Sequence, residues 1–189
     1  MQILQEHIQK ALEALAEGGT IAYPTDTIWG LGCDATDEKA VKKIYALKQR
    51  EECKSLIILV SSVAMLKRVV PSFDETMLTF LNQQDRPTTV IYDHPKGLAK
   101  NVIARDGTVG IRLVHEPFCK QLIERFGKPI VSTSANISGQ AHPTCFADID
   151  KSLLDKVDYI VNLHLDKKGG QSSMIVRWQT NGEIEYIRK

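Results

Sequence analysis

The chain has 189 residues, of which 43% are hydrophobic and 25% charged, and its formal net charge is +1 at pH 7. These values are typical of a soluble globular protein, and they exclude a disordered chain, a fibrous protein and a binder that relies on overall basic charge. The length predicts one domain over residues 1–189. No apolar run approaches the ~18 residues of a membrane span, and residues 1–10 lack the apolar core of a signal peptide. We therefore expect a cytoplasmic protein with no membrane partner.

The predicted elements of the first half alternate between helix and strand. Apolar residues at helical spacing stop at Gly18 and Gly19, and Thr36 is expected to cap the second helix. Ser72 and Glu75 form a capping-box pattern before a later helix. In chain order, the elements are a helix over 4–15, a strand over 20–23, a loop over 24–35, a helix over 37–48, a strand over 56–60, a helix over 63–70, a helix after Ser72 that contains Met77, Leu78 and Leu81, and a strand over 88–92.

The second half continues this pattern and ends in a hairpin. Pro117 suits the first turn of a helix that ends at Gly127, and Asn181-Gly182 is a hairpin signal between two strands. The elements are a strand over 108–112, a helix over 117–127, a strand over 129–133, a helix around 147–154, a strand around 159–161, and strands over 173–178 and 183–188. Interleaved strands and helices predict an α/β fold, and the terminal hairpin makes its sheet mixed.

The four cysteines are scattered along the chain, at Cys33, Cys53, Cys119 and Cys145. They form no C-x-x-C pair, and the histidines share no ligand spacing with them. This arrangement favours small buried thiols over a disulfide framework or a zinc site. We predict no metal bound by the side chains.

Four polar segments are unlike the rest of the scaffold: 24–32, Lys48-Gln49-Arg50 with Lys54, 132–139 and 169–173. An arginine fork and lysine point charges could bind a polyphosphate. Small hydroxyls and backbone N–H groups after the strand at 129–133 suit a phosphate or a carboxylate. Each segment alone has a simpler interpretation: a plain turn, a solvated helix end, a self-satisfying Ser/Asn turn and a flexible loop.

Motifs of covalent and metal-dependent catalysis are absent from the sequence. The chain has no G-x-x-x-x-G-K-S/T phosphate loop, no G-x-S-x-G elbow and no H-E-x-x-H helix. Of the five histidines, only His142 lies near a polar segment, and an ordinary turn histidine is the alternative.

Together, the four segments resemble one family, the YrdC-like L-threonylcarbamoyladenylate synthases. The family pattern is P-T-D/E-T followed by G-x-G, then K-x-R, then S-x-S-A-N-x-S-G, and last a glycine-rich S-S/T before a strand. The same order and spacing occur here at 24–32, 48–50, 132–139 and 169–173. One departure is the family's W-P-G-P-L-T, which is reduced to Arg86-Pro87-Thr88-Thr89.

The resemblance implies a fold and a reaction. The fold is an open, twisted mixed sheet with helices packed on it, curved around a large, positively lined cavity. The reaction condenses L-threonine, bicarbonate and ATP, with Mg²⁺ held by phosphates and water, into threonylcarbamoyl-AMP and pyrophosphate. The product serves the modification of tRNA adenosine 37 (t6A). This brings in tRNA and the proteins that transfer the threonylcarbamoyl group as further partners to consider.

The resemblance also implies roles for single residues. Lys48 and Arg50 are the expected catalytic residues. The residues expected to bind ATP are Arg50, Lys54, Thr89, Ser134, Asn136, His142 and Arg188. Those expected to bind threonine are Thr25, Thr27, Ser132 and Ser172.

Two other functions stay open from the sequence. A non-catalytic RNA-binding module would use the cluster of Lys48, Arg50 and Lys54, although the net charge is low and no aromatic stacking motif appears. A related carbamoyl-adenylate enzyme would accept a different donor, because the same fold occurs in hydrogenase-maturation carbamoyltransferases. Threonine-dependent turnover distinguishes the synthase from both alternatives, and turnover with carbamoyl phosphate distinguishes the alternative enzyme from the RNA-binding module.

Overall fold

The computed structural model describes residues 2–51, 56–166, 168–179 and 182–189. The helices in these ranges are α1 (Gln2–Ala16), α2 (Glu38–Lys48), α3 (Val63–Val69), α4 (Thr76–Asn82), α5 (Pro117–Phe126) and α6 (Lys151–Leu154). The strands are β1 (Ile21–Tyr23), β2 (Gly30–Gly32), β3 (Ile57–Val60), β4 (Thr88–Asp93), β5 (Thr108–Leu113), β6 (Ile130–Ser134), β7 (Tyr159–Ile160), β8 (Met174–Trp178) and β9 (Ile184–Arg188). Short 3-10 helices cover Lys100–Val102 and Phe146–Asp148.

The strands form one mixed sheet in the order β7-β1-β2-β6-β3-β5-β4-β8-β9. The pairs β1–β7, β3–β5 and β4–β8 are parallel, and the other neighbouring pairs are antiparallel. The predicted α/β class and the mixed sheet are therefore confirmed. The predicted hairpin is also present, as β8 and β9, and Gly182 has a φ of +81°. Asn181 lies outside the described residues.

β5 shows how the sheet separates two environments. Val109 and Ile111 are buried in the hydrophobic core, whereas Gly110 and Arg112 line a cavity. Successive side chains of a strand point to opposite faces, so one face of the sheet packs in the core and the other surrounds the cavity. The helices belong to the core side, where α3 and α5 pack on β3 and α1 packs on α5.

The helix ends correct two predictions about capping. Asp37, and not Thr36, caps α2: its carboxylate accepts from the backbone N–H of Lys39 at 2.8 Å. The Thr36 hydroxyl instead donates to Asp34 at 2.6 Å. An acidic cap suits the positive end of the helix dipole.

The capping box predicted before α4 is wrong, because Glu75 makes no capping hydrogen bond with its side chain. The Asp74 carboxylate accepts from the Thr76 backbone N–H at 2.9 Å instead. Pro117 does begin α5, and Gly127 ends it with a φ of +74°, as predicted.

Two segments differ from their predicted structure. The predicted loop over 24–35 contains β2, which pairs with β1 and β6. The predicted helix around 147–154 is two shorter helices, Phe146–Asp148 and Lys151–Leu154. Three residues of glycine and leucine are too short a pattern to indicate a strand, so β2 depends on its two partners.

The described cysteines are free thiols. Cys33 and Cys119 are buried, as predicted, and burial raises the pKa of both thiols. Cys145 is half-buried, and Cys53 lies outside the described residues. In the described part of the chain, no helix is both long enough and apolar enough to cross a membrane.

Candidate functional site

A cavity of about 360 Å³ lies on the face of the sheet that is opposite the helices. Side chains and backbone from seven strands, β2 to β6 with β8 and β9, contribute to its wall. It brings together most of the residues that the sequence analysis assigned to ATP or threonine: Thr25, Thr27, Arg50, Thr89, Ser132, Ser134, His142, Ser172 and Arg188. Residues far apart in the sequence thus meet because the sheet places their strand ends around one space.

Thr25 and Thr27 form a hydrogen-bonded pair in the cavity wall. The Thr25 hydroxyl donates to the Ile28 carbonyl at 2.7 Å, so it accepts from the Thr27 hydroxyl at 3.0 Å. The Thr27 hydroxyl in turn accepts from Nη1 of Arg112 at 3.4 Å. Both threonines are less than a tenth exposed. The chain of bonds fixes the direction of each hydroxyl and leaves Thr27 next to a positive charge.

Arg112 was not identified from the sequence, and it is the most buried charge in the cavity wall. Only 3% of it is exposed. Its Nη2 pairs with the Asp26 carboxylate at 3.1 Å, whereas its Nε–H has no hydrogen-bond partner among the described residues. A buried guanidinium needs a partner for each donor, so Arg112 can bind an anionic ligand in addition to Asp26.

The segment before β8 forms a second polar cluster in the wall. The Ser173 hydroxyl lies 2.9 Å from that of Thr89. Arg188 donates to the Ser173 carbonyl from Nε at 3.0 Å and from Nη2 at 2.8 Å. Arg86 donates from Nη2 to the neighbouring Ser172 carbonyl at 2.8 Å. Two guanidinium groups therefore hold two consecutive carbonyls of the wall.

The loop over 169–173 is also tied to the Thr27 segment. The backbone N–H of Gly170 donates to the Thr27 carbonyl at 2.6 Å, and that of Gly169 donates to the Thr144 carbonyl at 2.5 Å. A side chain at Gly169 would contact both carbonyls at 3.3 Å. The glycines thus allow two parts of the cavity wall to approach each other closely.

Lys48 lies beside the cavity and not in its described lining. It is 1% exposed, so the alternative of a solvated helix end is wrong for this residue. Its ammonium donates to the carbonyls of Ser134 at 2.6 Å and of Asn136 at 2.7 Å. Burial, and then the charge of Arg50, lower its pKa to about 8, so at pH 7 it remains an ammonium. Lys48 therefore fixes the turn after β6 without belonging to the described cavity lining.

Asn136 supports the same turn and is likewise outside the described lining. Its side-chain amide donates to the carbonyls of Ile137 at 3.1 Å and of Gln140 at 2.7 Å. The Lys48 carbonyl accepts from the Ser138 N–H at 2.8 Å. These bonds occupy the Lys48 ammonium and the Asn136 amide, which were predicted to contact the ligand, whereas Ser134 lines the cavity.

Arg50 and His142 complete the described wall. Gln49, in a left-handed conformation with a φ of +48°, ends α2 and turns the chain so that Arg50 reaches the cavity. Partial burial, followed by the positive charges of Lys48 and Arg188, lowers the pKa of His142, so its imidazole is neutral at pH 7. Lys54 lies outside the described residues.

The charges of the cavity are strongly unbalanced. Arg50, Arg112 and Arg188 line it, and Asp26 is already paired with Arg112. Burial, together with the nearby charges of Arg112 and Arg86, lowers the pKa of Arg188. Like charges held this close together favour an anionic ligand that relieves their repulsion. The fold and the cavity thus define an α/β protein with an arginine-lined cavity, suited to an anion, on one face of a mixed sheet.

The family is shown by comparison with known proteins. The model of the Sua5, YciO and YrdC proteins, described as "Telomere recombination", matches residues 13–189. The chain belongs to this family. The threonylcarbamoyl-AMP synthase of Pseudoalteromonas translucida (strain TAC 125) is 31% identical over 186 residues, which are 95% of this chain and 97% of the relative. The synthase of Vibrio cholerae (El Tor Inaba N16961) is 34% identical over 185 residues, 95% of this chain and 89% of the relative.

Solved structures share the fold. Sua5 of P. abyssi complexed with L-threonine has a TM-score of 0.82 and 27% identity, and the match covers 96% of this chain and 53% of that chain. Full-length HypF in its phosphate- and nucleotide-bound form has a TM-score of 0.82 and 26% identity, with 96% and 28% covered. The chain therefore spans about half the length of the Sua5 structure and less of HypF.

Proposed function

We propose that this chain is a threonylcarbamoyl-AMP synthase and, by reaction class, a nucleotidyltransferase. It condenses L-threonine, bicarbonate and ATP into threonylcarbamoyl-AMP and pyrophosphate, and the product serves the modification of tRNA adenosine 37. The observation that carries the proposal is that one arginine-rich cavity joins residues of all four polar segments. The names of the relatives and the L-threonine complex of Sua5 support it.

The reaction consists of two bond-forming steps. The threonine amine attacks the carbon of bicarbonate, and loss of water gives a carbamate. A carbamate oxygen then attacks the α-phosphorus of ATP, and the bond to the β-phosphate oxygen breaks to release pyrophosphate. The carbamate is unstable in water, so a deep cavity both protects it and strengthens the charge interactions around it. No covalent nucleophile of the protein is needed.

Arg50 and Arg188 are the residues that we assign to the phosphates. Both lie in the cavity wall, and guanidinium groups form bidentate hydrogen bonds with phosphate oxygens. The hydroxyls of Thr89 and Ser134 and the neutral imidazole of His142 offer further hydrogen bonds to ATP. Lys48 and Asn136 contribute through the turn that they fix, and Lys54 remains an assignment from the family resemblance alone.

Mg²⁺ enters the proposal as part of the ATP substrate. Among the described residues, no group of three or more His, Cys, Asp or Glu side chains could hold a metal ion. The lining offers hydroxyls and guanidinium groups in place of carboxylates. These fit a Mg²⁺ that is held by phosphate oxygens and water.

Threonine is assigned to the part of the cavity around Thr27 and Arg112, which we call the threonine end. Arg112 offers a buried positive charge for its carboxylate, and the hydroxyl of Thr27 lies beside that charge. Ser132 and Ser172 line the same space, and Thr25 orients Thr27. Catalysis would then consist of holding the carbamate close to the α-phosphorus while arginines neutralise the developing phosphate charge.

The test is pyrophosphate release from ATP by the purified protein, with threonine and bicarbonate omitted in turn. We expect release only when both are present. Release with carbamoyl phosphate in place of threonine and bicarbonate would instead favour the alternative donor. ATP-independent, salt-sensitive RNA binding without turnover would favour the RNA-binding module and overturn the proposal.

A further inference from the structure

The carbonyls of Ser172 and Ser173 are held from two different sides. Arg188 approaches the Ser173 carbonyl from the cavity, of which it is a lining residue. Arg86 approaches the Ser172 carbonyl but does not belong to the described lining of that cavity. The two arginines therefore have different access to a ligand, although each makes a charged hydrogen bond to the same short segment.

Arg86 lies behind the wall, next to a second space. This second cavity, of about 230 Å³, is lined by Arg86, Thr88 and Leu113, whereas Thr89 and Arg112 line the first one. Because neighbouring side chains of a strand point to opposite faces, the two cavities lie on opposite sides of β4 and β5.

The backbone around Arg86 is fixed to the same segment. The Pro87 carbonyl accepts from the Met174 N–H at 3.0 Å, and the Thr88 hydroxyl donates to the Arg86 carbonyl at 3.1 Å. The backbone at Arg86 is thus held in place, and its guanidinium can restrain the Ser172 carbonyl to which it donates. Such an arrangement restrains Ser172 from a side chain that is not part of the described cavity lining, although the positive charge of Arg86 is felt by Arg188.

We propose that Arg86 is a positioning residue for the threonine end of the cavity, and that it acts by fixing Ser172. This inference rests on the proposed function. The Arg86 guanidinium holds the Ser172 carbonyl, so that the Ser172 hydroxyl keeps its place in the cavity wall. Loss of this bond lets the hydroxyl move relative to threonine, whereas Arg50 and the phosphate contacts stay in place.

The experiment measures steady-state pyrophosphate release for Arg86→Ala and Arg86→Lys. For Arg86→Ala we expect the KM for threonine to rise about tenfold, as for the loss of one charged hydrogen bond, and the KM for ATP to change less than twofold. Arg86→Lys retains a positive donor and should recover part of the loss. Arg68→Ala is the matched control, because Arg68 also donates to a carbonyl, that of Gly127 at 3.2 Å, away from the cavity.

A double-mutant cycle with Ser172→Ala tests whether Arg86 acts through Ser172. If it does, the effect of Arg86→Ala on the KM for threonine is largely lost when Ser172 is already alanine. Fully additive effects, equal increases in both KM values, or a melting temperature that falls further than in Arg68→Ala would each overturn the inference. A wild-type protein without threonine-dependent release would instead overturn the proposed function, and the inference with it.

Discussion

The ammonium of Lys48 is almost completely removed from water. The contribution of Lys48 to the free energy of unfolding therefore depends on pH. Its pKa is about 8 in the folded protein, against an unfolded value near 10.4. Between these values the unfolded chain binds more protons, so the contribution of Lys48 to stability rises with pH. We expect the difference in unfolding free energy between wild type and Lys48→Met to shift in favour of wild type by about 2 kcal/mol from pH 7.5 to pH 9.5.

Chemical denaturation at the two pH values measures this difference. Lys39→Met is the matched control, because Lys39 is exposed on the same helix. A difference that shrinks with pH would mean that the carbonyls of Ser134 and Asn136 stabilise the ammonium more than burial destabilises it.

The Thr27 hydroxyl lies at the threonine end of the cavity and accepts a hydrogen bond from Arg112. Thr27→Val keeps the shape of the side chain and removes one donor and one acceptor. We expect the KM for threonine to rise about tenfold, since a hydrogen bond contributes about 1 kcal/mol and its loss leaves Arg112 less well paired. ATP binding, measured by calorimetry without threonine, should change less than twofold.

Thr20→Val provides the control for Thr27. Thr20 is also buried, and its hydroxyl donates to the Asp158 carboxylate at 2.9 Å. Neither residue belongs to the described cavity lining. An unchanged KM for threonine in Thr27→Val, or the same increase in Thr20→Val, would contradict the assignment of Thr27.

At the scale of elements, β2 depends on a close approach that only glycine permits. A Cβ at Gly32 would lie 2.7 Å from the Val131 carbonyl and 2.8 Å from the Tyr23 ring. Both neighbours are buried and cannot move away freely. We expect Gly32→Ala to lower the free energy of unfolding by about 1–3 kcal/mol, as overpacking does.

Denaturant unfolding of Gly32→Ala and of Gly170→Ala distinguishes a steric clash of the added Cβ at Gly32 from the general effect on stability of replacing a glycine by alanine. At Gly170 the nearest atom to an added Cβ is the Thr27 carbonyl at 3.7 Å, an ordinary contact. Equal destabilisation by the two substitutions would mean that space at Gly32 is not what limits β2.

Elements with a periodic pattern or clear end signals could be predicted from the sequence, and those without could not. α5 has both, in Pro117 and Gly127, and it occurs as expected. β2 has neither, since two of its three residues are glycine. Its pairing with β6 joins residues about a hundred positions apart, which local propensity does not report.

The candidate site shows the same division. Its motif residues could be identified because they occur in the order and spacing of a known family, but Arg112 lies outside those motifs, within β5 between Ile111 and Leu113. A charged residue within an apolar strand can indicate a binding site, because burying a charge costs free energy unless another group pairs with it. The contact from Arg86 to Ser172 joins two segments with no shared motif, so only the folded chain reveals it.

At the scale of the whole molecule, the cavity draws on seven strands, so a ligand that fills it should stabilise the sheet as one unit. A ligand at about 100 times its Kd stabilises the folded state by about 2.7 kcal/mol. For a domain of this size, that raises the melting temperature by about 5–10 °C. We expect Mg²⁺-ATP to give a shift of this order, and AMP a much smaller one, because AMP lacks the β- and γ-phosphates and so offers less negative charge to Arg50 and Arg188.

Arg50→Ala distinguishes binding in this cavity from a nonspecific effect of ATP. Loss of the guanidinium removes a charged partner of the phosphates, so the ATP shift should fall by more than half at the same ATP concentration, while the small AMP shift stays. Arg68→Ala, which removes an exposed arginine elsewhere, should keep the full ATP shift. An equal ATP shift in all three proteins would contradict the assignment of Arg50 to the ATP phosphates.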